Sequence, residues 1–499
     1  MKKSSPEAAG GEPAGLKIDI KTIIPVTLLL FALMLGAGVL TQVIAPGEYR
    51  LDASGSIING TYRLLEGFRL PFWRVLIAPL QVFTSSEAAV GIAVLVFIVL
   101  VGGTFMILDR CGVLKYIMSS IVSKYAGSKY KLLAAVILAC MALSSVAGIL
   151  EESITIVPLA VAISLALGWD SLTGIGISLV SIAFGYTAAT FNPFNVGVVQ
   201  GLSGIPLFSG LWFRVLVFAA VYGILTPYII FYAKRIEKDP KRSIVYESDL
   251  KLRERLGAGN GIDEKVLHSE KLKKATKIFV LCISGVLAAT ALSFLLSSLD
   301  TIPETVKDLL TNLPLASMAL LFTLGGILAG RAAGFRSKKL LGTFFDGVKA
   351  IAPCVPMIIL VMSITYVLKQ GKIIHTILYF IYERIEGYPP YASLMMIFAF
   401  IMVLEFIIGS GTAKAFLIMP IIMPLADLLS IQRQTVVVAF SMSDGFGNIL
   451  YPTSGVMIIA IGLAGISYGK YLRWSWKLFV LAFGLSAVAL AVALAIGYH

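Results

Sequence analysis

Long uninterrupted apolar stretches alternate along this chain with short charged segments, and the apolar stretches set its elements. About ten of them approach the roughly 20 residues that a helix needs to cross a bilayer, among them Ile23–Ile44, Val90–Leu108 and Leu478–Ile496. Backbone polar groups find no water in hydrocarbon, so such stretches must be helices. Four stretches are interrupted by residues that a lipid-facing helix excludes. The run 132–168 is long enough for two passes, yet it carries Glu151, Glu152 and Ser153 at its middle. The run 392–429 carries Ser410, Gly411, Thr412 and Lys414. Behind each comes a helix broken at a proline: 172–206 at Asn192-Pro193-Phe194-Asn195, and 436–466 at Tyr451-Pro452-Thr453-Ser454.

The order of these features repeats. Each hairpin runs through a proline (Pro158, Pro420), meets a threonine about fifteen residues later (Thr173, Thr435), and is followed by a broken helix closing on Gly-Leu-x-Gly-Ile at Gly201 and Gly462. Paired, interrupted segments in two halves predict an all-α polytopic membrane protein with two inverted repeats, each holding a re-entrant helical hairpin and a broken transmembrane helix around a substrate site. Threading the spans from a cytoplasmic N-terminal tail, 1–21, gives a first membrane repeat at 22–233, with a surface helix at 111–131. A basic cytoplasmic linker follows at 234–277, and a second membrane half at 278–499. Counting crossings brings the two repeats out in opposite orientations. The first apolar run exceeds a signal-peptide core and lacks a small-residue cleavage site, so it reads as a retained helix.

Composition narrows the class. The chain is 58% hydrophobic and 14% charged, with a mean hydropathy of +0.90, which leaves no room for a soluble catalytic domain. Its net charge of +13 comes from Lys and Arg beside the spans, the pattern of cytoplasmic loops, so no nucleic-acid partner is implied. Cys111, Cys140, Cys282 and Cys354 form neither a disulfide framework nor a CxxC site. His268, His375 and His499 fall in loops, on the surface or at the terminus, and no HExxH or Walker-type loop occurs. No enzyme, metal or cofactor is expected; the partners are a small-molecule substrate and the lipid bilayer. A passive channel is disfavoured, since matched hairpins closing a site from both sides suit a carrier.

The candidate site follows from charge in the wrong solvent. A charged side chain at the bilayer centre costs about 2.5–3.5 kcal/mol or more. Glu151, Glu152, Glu405, Lys414 and Asp444 all fall at or near the hairpin tips and helix breaks. Thr190, Asn192, Pro193 and Asn195 surround the first break, and Asn448, Thr453, Ser454 and Gly455 the second. Freed backbone carbonyls there can ligate ions, and helix N-termini can hold anionic groups. The acids outnumber the single lysine, which favours a cationic or zwitterionic substrate, or a coupling cation; an amino acid moved by exchange or by coupling to Na+ or H+ is the favoured reading. Glu151 or Glu152, with Asp444, would then hold the cationic group. Two alternatives stand beside this: Lys414 pairs internally with one of the acids, or it faces the site and receives a carboxylate substrate.

The blocks also resemble the YfcC-like branch of the DcuC family, within the ion transporter superfamily. Val43-Ile44-Ala45-Pro46-Gly47-Glu48-Tyr49 is similar to that family's "IIPAGE(Y/F)". Glu151-Glu152-Ser153, Pro158 and Leu167-Gly168-Trp169-Asp170-Ser171 resemble "EET…P…LGYDS", and Asn192-Pro193-Phe194-Asn195-Val196-Gly197 resembles "NPF-x-VG". Lys238-Asp239-Pro240, Pro424-Leu425-Ala426-Asp427, Asp444-Gly445-Phe446 and Pro452-Thr453-Ser454-Gly455 match further blocks. The resemblance implies a secondary carrier of the bacterial inner membrane, for basic amino acids or C4-dicarboxylates, working as an elevator-like homodimer. At the second hairpin tip the chain departs from the pattern "NFFIPSGSGQA": Glu405 stands for Asn, Gly409 for Pro, and Lys414 for the later amide or lysine.

Overall fold

Helix after helix, the computed structural model describes residues 20–499 apart from 51–57, 59, 86–87, 152, 207, 257–263, 298–319 and 386. Five described helices are long and apolar enough to cross a membrane, and up to seven if each bent pair counts as one span. Their outer faces carry fully apolar side chains such as Phe231, Leu428, Val480 and Val488, which only lipid solvates without penalty. The chain is a multi-pass membrane protein.

The helices fall into two packed groups. One contains α1 (Ile20–Val43), α2 (Phe72–Gln81), α3 (Ala88–Arg110), α15 (Ser337–Ile351) and α16 (Val355–Gln370); α1 packs on α16, and α3 on α15. The α3–α15 contact depends on missing side chains. A Cβ on Gly347 would lie 2.3 Å from the Gly102 carbonyl oxygen, and one on Gly103 2.3 Å from the Phe344 ring. Close backbone approach of this kind is how helices associate where no hydrophobic effect drives them together. Between α1 and α2, β1 (Gly47–Glu48) pairs antiparallel with β2 (Arg63–Leu64), Gly47 opposite Leu64.

The second group holds both interrupted segments. Its first hairpin is α5 (Lys129–Ala147) and α6 (Ser153–Ala166), its second α18 (Pro390–Ile407) and α19 (Gly411–Leu428). The first broken helix is α7 (Ser171–Ile175), a π-turn at Gly176–Val180 and α8 (Ser181–Thr187), then a gap, a second π-turn at Pro193–Gly197 and α9 (Val198–Leu202). The second is α20 (Arg433–Leu450) and α21 (Gly455–Leu463), bent by 42° across the gap. The packing is matched. The first arm of each hairpin lies on its own broken helix (α5 on α8, α18 on α20), the second arm meets the far half of the other one (α6 with α21, α19 with α9), and α8 crosses α20 at the centre. Completing the group are α10 (Leu211–Lys238) and α22 (Tyr468–Ala495).

Between the groups lie α4 (Val113–Tyr125), which touches α3 and α6, and α17 (Ile374–Ile385), which touches β1, α18 and α19. The expected linker has more structure than its composition suggested. Within it α11 (Tyr246–Leu256) docks against α6, with Ser243, Val245 and Asp249 buried; α12 (Glu264–Leu267) packs on α4, and α13 (Glu270–Ser297) begins inside the same segment. Spacing of Val245 and Asp249 on one helical face is the signal that overall charge concealed. The remaining described helix, α14 (Leu320–Ala332), ends at the basic Arg331–Lys339 segment. Neither α2 nor α15 was expected from span-length runs, because both are short and two-faced.

Candidate functional site

The two hairpin tips and the two breaks converge. At the second tip α18 stops at Ile407, Gly409 and Ser410 are exposed, and Ser410 caps α19 by accepting the Ala413 N–H at 3.3 Å. One turn into α19 the Lys414 side chain turns inward and is fully buried. Its Nζ pairs with the Glu405 carboxylate from α18 and with Asp444 Oδ1 from α20 at 2.8 Å, and lies 3.5 Å from the Ile408 carbonyl oxygen. Asn195, beyond the first break, donates from Nδ2 to Asp444 Oδ2 at 3.1 Å. Three successive helices, α18, α19 and α20, thus meet around one ammonium group, and Asn195 joins them through Asp444 from the first half of the chain.

Glycines admit these carboxylates. A Cβ on Gly447 would stand 2.2 Å from Glu405 Cγ, and one on Gly411 2.5 Å from Asp444 Oδ2. The α8–α20 crossing is equally tight, since a Cβ on Gly445 would meet Thr187 Oγ1 at 2.2 Å. Glu151, at the first tip, is exposed and lies within electrostatic reach of Asp444. Glu152 lies outside the described residues. Ser153 Oγ, Asn195 Oδ1 and Thr453 Oγ1 are buried polar atoms without a hydrogen-bond partner.

Other expected site residues serve the backbone. Ser145 Oγ donates to the Ala188 carbonyl at 2.7 Å and accepts from the Thr190 N–H at 3.0 Å, which ties the first break to α5. Asn192 Oδ1 accepts from the Asn195 N–H at 3.2 Å, next to Pro193 at the head of the π-turn. Asn448 Nδ2 donates to the Asp444 carbonyl at 2.9 Å, and Ser454 caps α21, which Gly455 opens, by accepting the Met457 N–H at 3.4 Å. Thr412, in the first turn of α19, is half-buried.

The geometry revises one detail of the expected chemistry. Asp444 does not stand open to a cationic ligand; Lys414 and Asn195 hold both its oxygens. Sequence reasoning also passed over Arg214, a buried guanidinium that donates to the carbonyls of Thr190 (3.1 Å), Phe208 (3.1 Å) and Ser209 (2.7 Å). Its signal was available, as the one charge near the start of the apolar run 211–233. Gln200 and Gln434 likewise join the two broken helices at 3.1 Å. No group of three or more His, Cys, Asp or Glu side chains able to hold a metal occurs among the described residues.

The DcuC family profile, C4-dicarboxylate anaerobic carrier, matches residues 25–495. YfcC of Escherichia coli (strain K12), named as a candidate basic amino acid antiporter, is 26% identical over 431 residues, covering 84% of this chain and 81% of YfcC. An uncharacterised protein of Haemophilus influenzae (strain ATCC 51907 / DSM 11121 / KW20 / Rd) is 25% identical over 387 residues, covering 77% of this chain and 72% of that protein. Among solved structures, the YdaH transporter of Alcanivorax borkumensis aligns over 98% of this chain and 99% of its own, at 17% identity and a TM-score of 0.44. MtrF of Neisseria gonorrhoeae, described with a class of antimetabolite efflux pumps, aligns over 96% of both chains at 16% identity and a TM-score of 0.44.

Proposed function

Since this chain belongs to the DcuC family and is a membrane transporter, not an enzyme, we propose that it is a secondary carrier of amino acids, basic ones favoured, working by exchange. The observation that carries the reading is the charge balance where tips and breaks meet. Three carboxylates gather there with one ammonium: Glu405 and Asp444 pair with Lys414, and Glu151 stands exposed within electrostatic reach of Asp444. A cationic or zwitterionic solute completes that balance and a dicarboxylate worsens it. Glu151 or Glu152 receives the cationic group, and the unengaged hydroxyls of Ser153, at the first tip, and Thr453, at the second break, orient it.

The matched packing supports two inverted repeats with re-entrant hairpins. So does depth: Asp444 is the twelfth residue of the 18-residue α20, and the second tip meets it there, well inside the span. Grouping of helices supports an elevator-like movement of 129–238 and 390–495 against the other helices, with α4 and α17 as the connections. Homodimeric assembly, a bacterial inner-membrane location and a cytoplasmic N-terminus belong to the same proposal. So do the boundaries of the tail (1–21), the two membrane halves (22–233 and 278–499) and the linker (234–277).

Counterflow into proteoliposomes tests it. Vesicles preloaded with unlabelled arginine or lysine should accumulate labelled arginine transiently and saturably, whereas a channel gives no overshoot. Glu151→Gln should raise the half-saturating arginine concentration roughly tenfold or more, the loss expected for one charge-assisted contact. Counterflow driven by succinate and not by arginine would overturn the substrate assignment. The YfcC name favours a basic amino acid, whereas the family description favours a C4-dicarboxylate; the excess of carboxylates supports the former.

A further inference from the structure

Lysine in the first turn of a helix is badly placed on local grounds, because the N-terminal turn carries the positive end of the macrodipole. Lys414 occupies that position in α19, fully buried, and nothing about α19 itself rewards it. Stability does not require the arrangement either, since a buried ion pair seldom improves on apolar residues of similar volume. The ammonium group is instead surrounded as a bound cation would be. Oxygens converge on it from Glu405 on α18, Asp444 on α20 and the Ile408 carbonyl where α18 has given way to the tip. A Cβ at Gly447 or Gly411 would intrude on those carboxylates. Two carboxylates and a freed carbonyl at a helix break form a donor set for a hard cation such as Na+.

We propose that Lys414 is a tethered cation that permanently fills a monovalent-cation site between the second hairpin tip and α20, so that the carrier runs without Na+. This inference rests on the transporter reading above and specifies its coupling. A chain that carries its own positive charge at the closing tip needs no sodium ion to neutralise Glu405 and Asp444 when that tip packs shut. Exchange of one amino acid for another then proceeds with no ion gradient. Glu151, outside the ammonium cluster, is left for the substrate.

The test measures melting temperature and counterflow in NaCl against equal choline chloride. The wild-type carrier should show the same melting temperature and the same counterflow in both salts. Lys414→Ala vacates the oxygen cluster and should gain a rise in melting temperature that saturates with NaCl and is absent in choline chloride. Glu405→Gln/Lys414→Ala, which relieves the unpaired carboxylate, should fold readily and lose most of that Na+ response. A saturable Na+ effect on the wild type overturns the proposal, and this arm holds whether or not the variants fold. A folded, monodisperse Lys414→Ala protein that ignores Na+ overturns it as well. Failure of arginine counterflow would sink the substrate reading instead, and it leaves the salt comparison of melting temperatures intact.

Discussion

At the scale of single residues, the site depends as much on absent atoms as on charges. Glu405 reaches Lys414 only because α20 has no side chain at Gly447, where a Cβ would stand 2.2 Å from Glu405 Cγ. Gly447→Ala should therefore destabilise the protein by about 1–3 kcal/mol through overpacking, even though alanine favours helix elsewhere. Adding Glu405→Asp, which retracts the crowded methylene, should recover part of the loss in thermal melting. A wild-type melting temperature for Gly447→Ala would refute the crowding argument. Sequence alone made Glu405, Lys414 and Asp444 conspicuous, since each charge stood in or beside an apolar run. It could not tell that all three touch, because their meeting depends on how α18, α19 and α20 rotate against one another. Nor could it separate Ser410 and Ser454, which cap helices, from Thr453 and Ser153, whose hydroxyls remain unengaged.

Elements show how the base of the first hairpin is fastened. Asp170 caps α7 by accepting the Thr173 N–H at 2.8 Å, and its other oxygen accepts from Ser243 at 2.7 Å and from Tyr232 at 2.5 Å. Asp249 on α11 accepts the Ser171 N–H at 2.8 Å, while Arg253 donates to the Leu165 carbonyl at 3.2 Å. Burial, with the Asp170 charge adding to it, pushes the Asp249 carboxyl up to about 7 against the pull of Ser171 and Arg253. A carboxyl whose pKa is higher docked than free holds an extra proton when docked. Docking of α11 is then strongest below the ordinary carboxylate range near 4 and weakens as pH climbs toward 7, with little further change above. Hydrogen exchange in the intact protein, corrected for intrinsic rates, should show residues 246–256 better protected at pH 5 than at pH 8. Asp249→Asn should flatten the difference, and equal protection in the unmodified protein would count against it. This fastening was hidden because charged composition suggested a plain linker. The helical character of the long apolar runs, by contrast, was legible, since caps and interruptions mark their ends.

On the scale of the molecule, two helix groups meet mainly through α4 and α17, and each has its own glycine-dependent crossing. Gly347 serves the α3–α15 crossing, and Gly445 the α8–α20 crossing between the two breaks. Substituting valine at either should lower the melting temperature by overpacking. Only Gly445→Val should also weaken substrate binding, because only that crossing sets the distance between Asn195 and Asp444. Melting curves with and without arginine would separate the two, and equal loss of ligand stabilisation in both variants would argue against distinct groups. The outline of the fold was readable from hydrophobic run lengths. Its division was not, because α2 and α15 present one apolar face each and fall below spanning length.

The bond between Asn195 and Asp444 also has a history. The two residues are 249 positions apart, and ribosomes add roughly 5–20 residues each second, so about 12–50 s of synthesis separate them. Throughout that interval the first broken helix is already made, while the carboxylate that its amide will meet is not. Gln200 waits nearly as long for Gln434, 234 positions on. A half-built chain must therefore delay committing these amides to lipid, at the mouth of the insertion machinery or in a provisional packing. Pairing the breaks across the two halves makes the order of manufacture part of what the sequence has to satisfy.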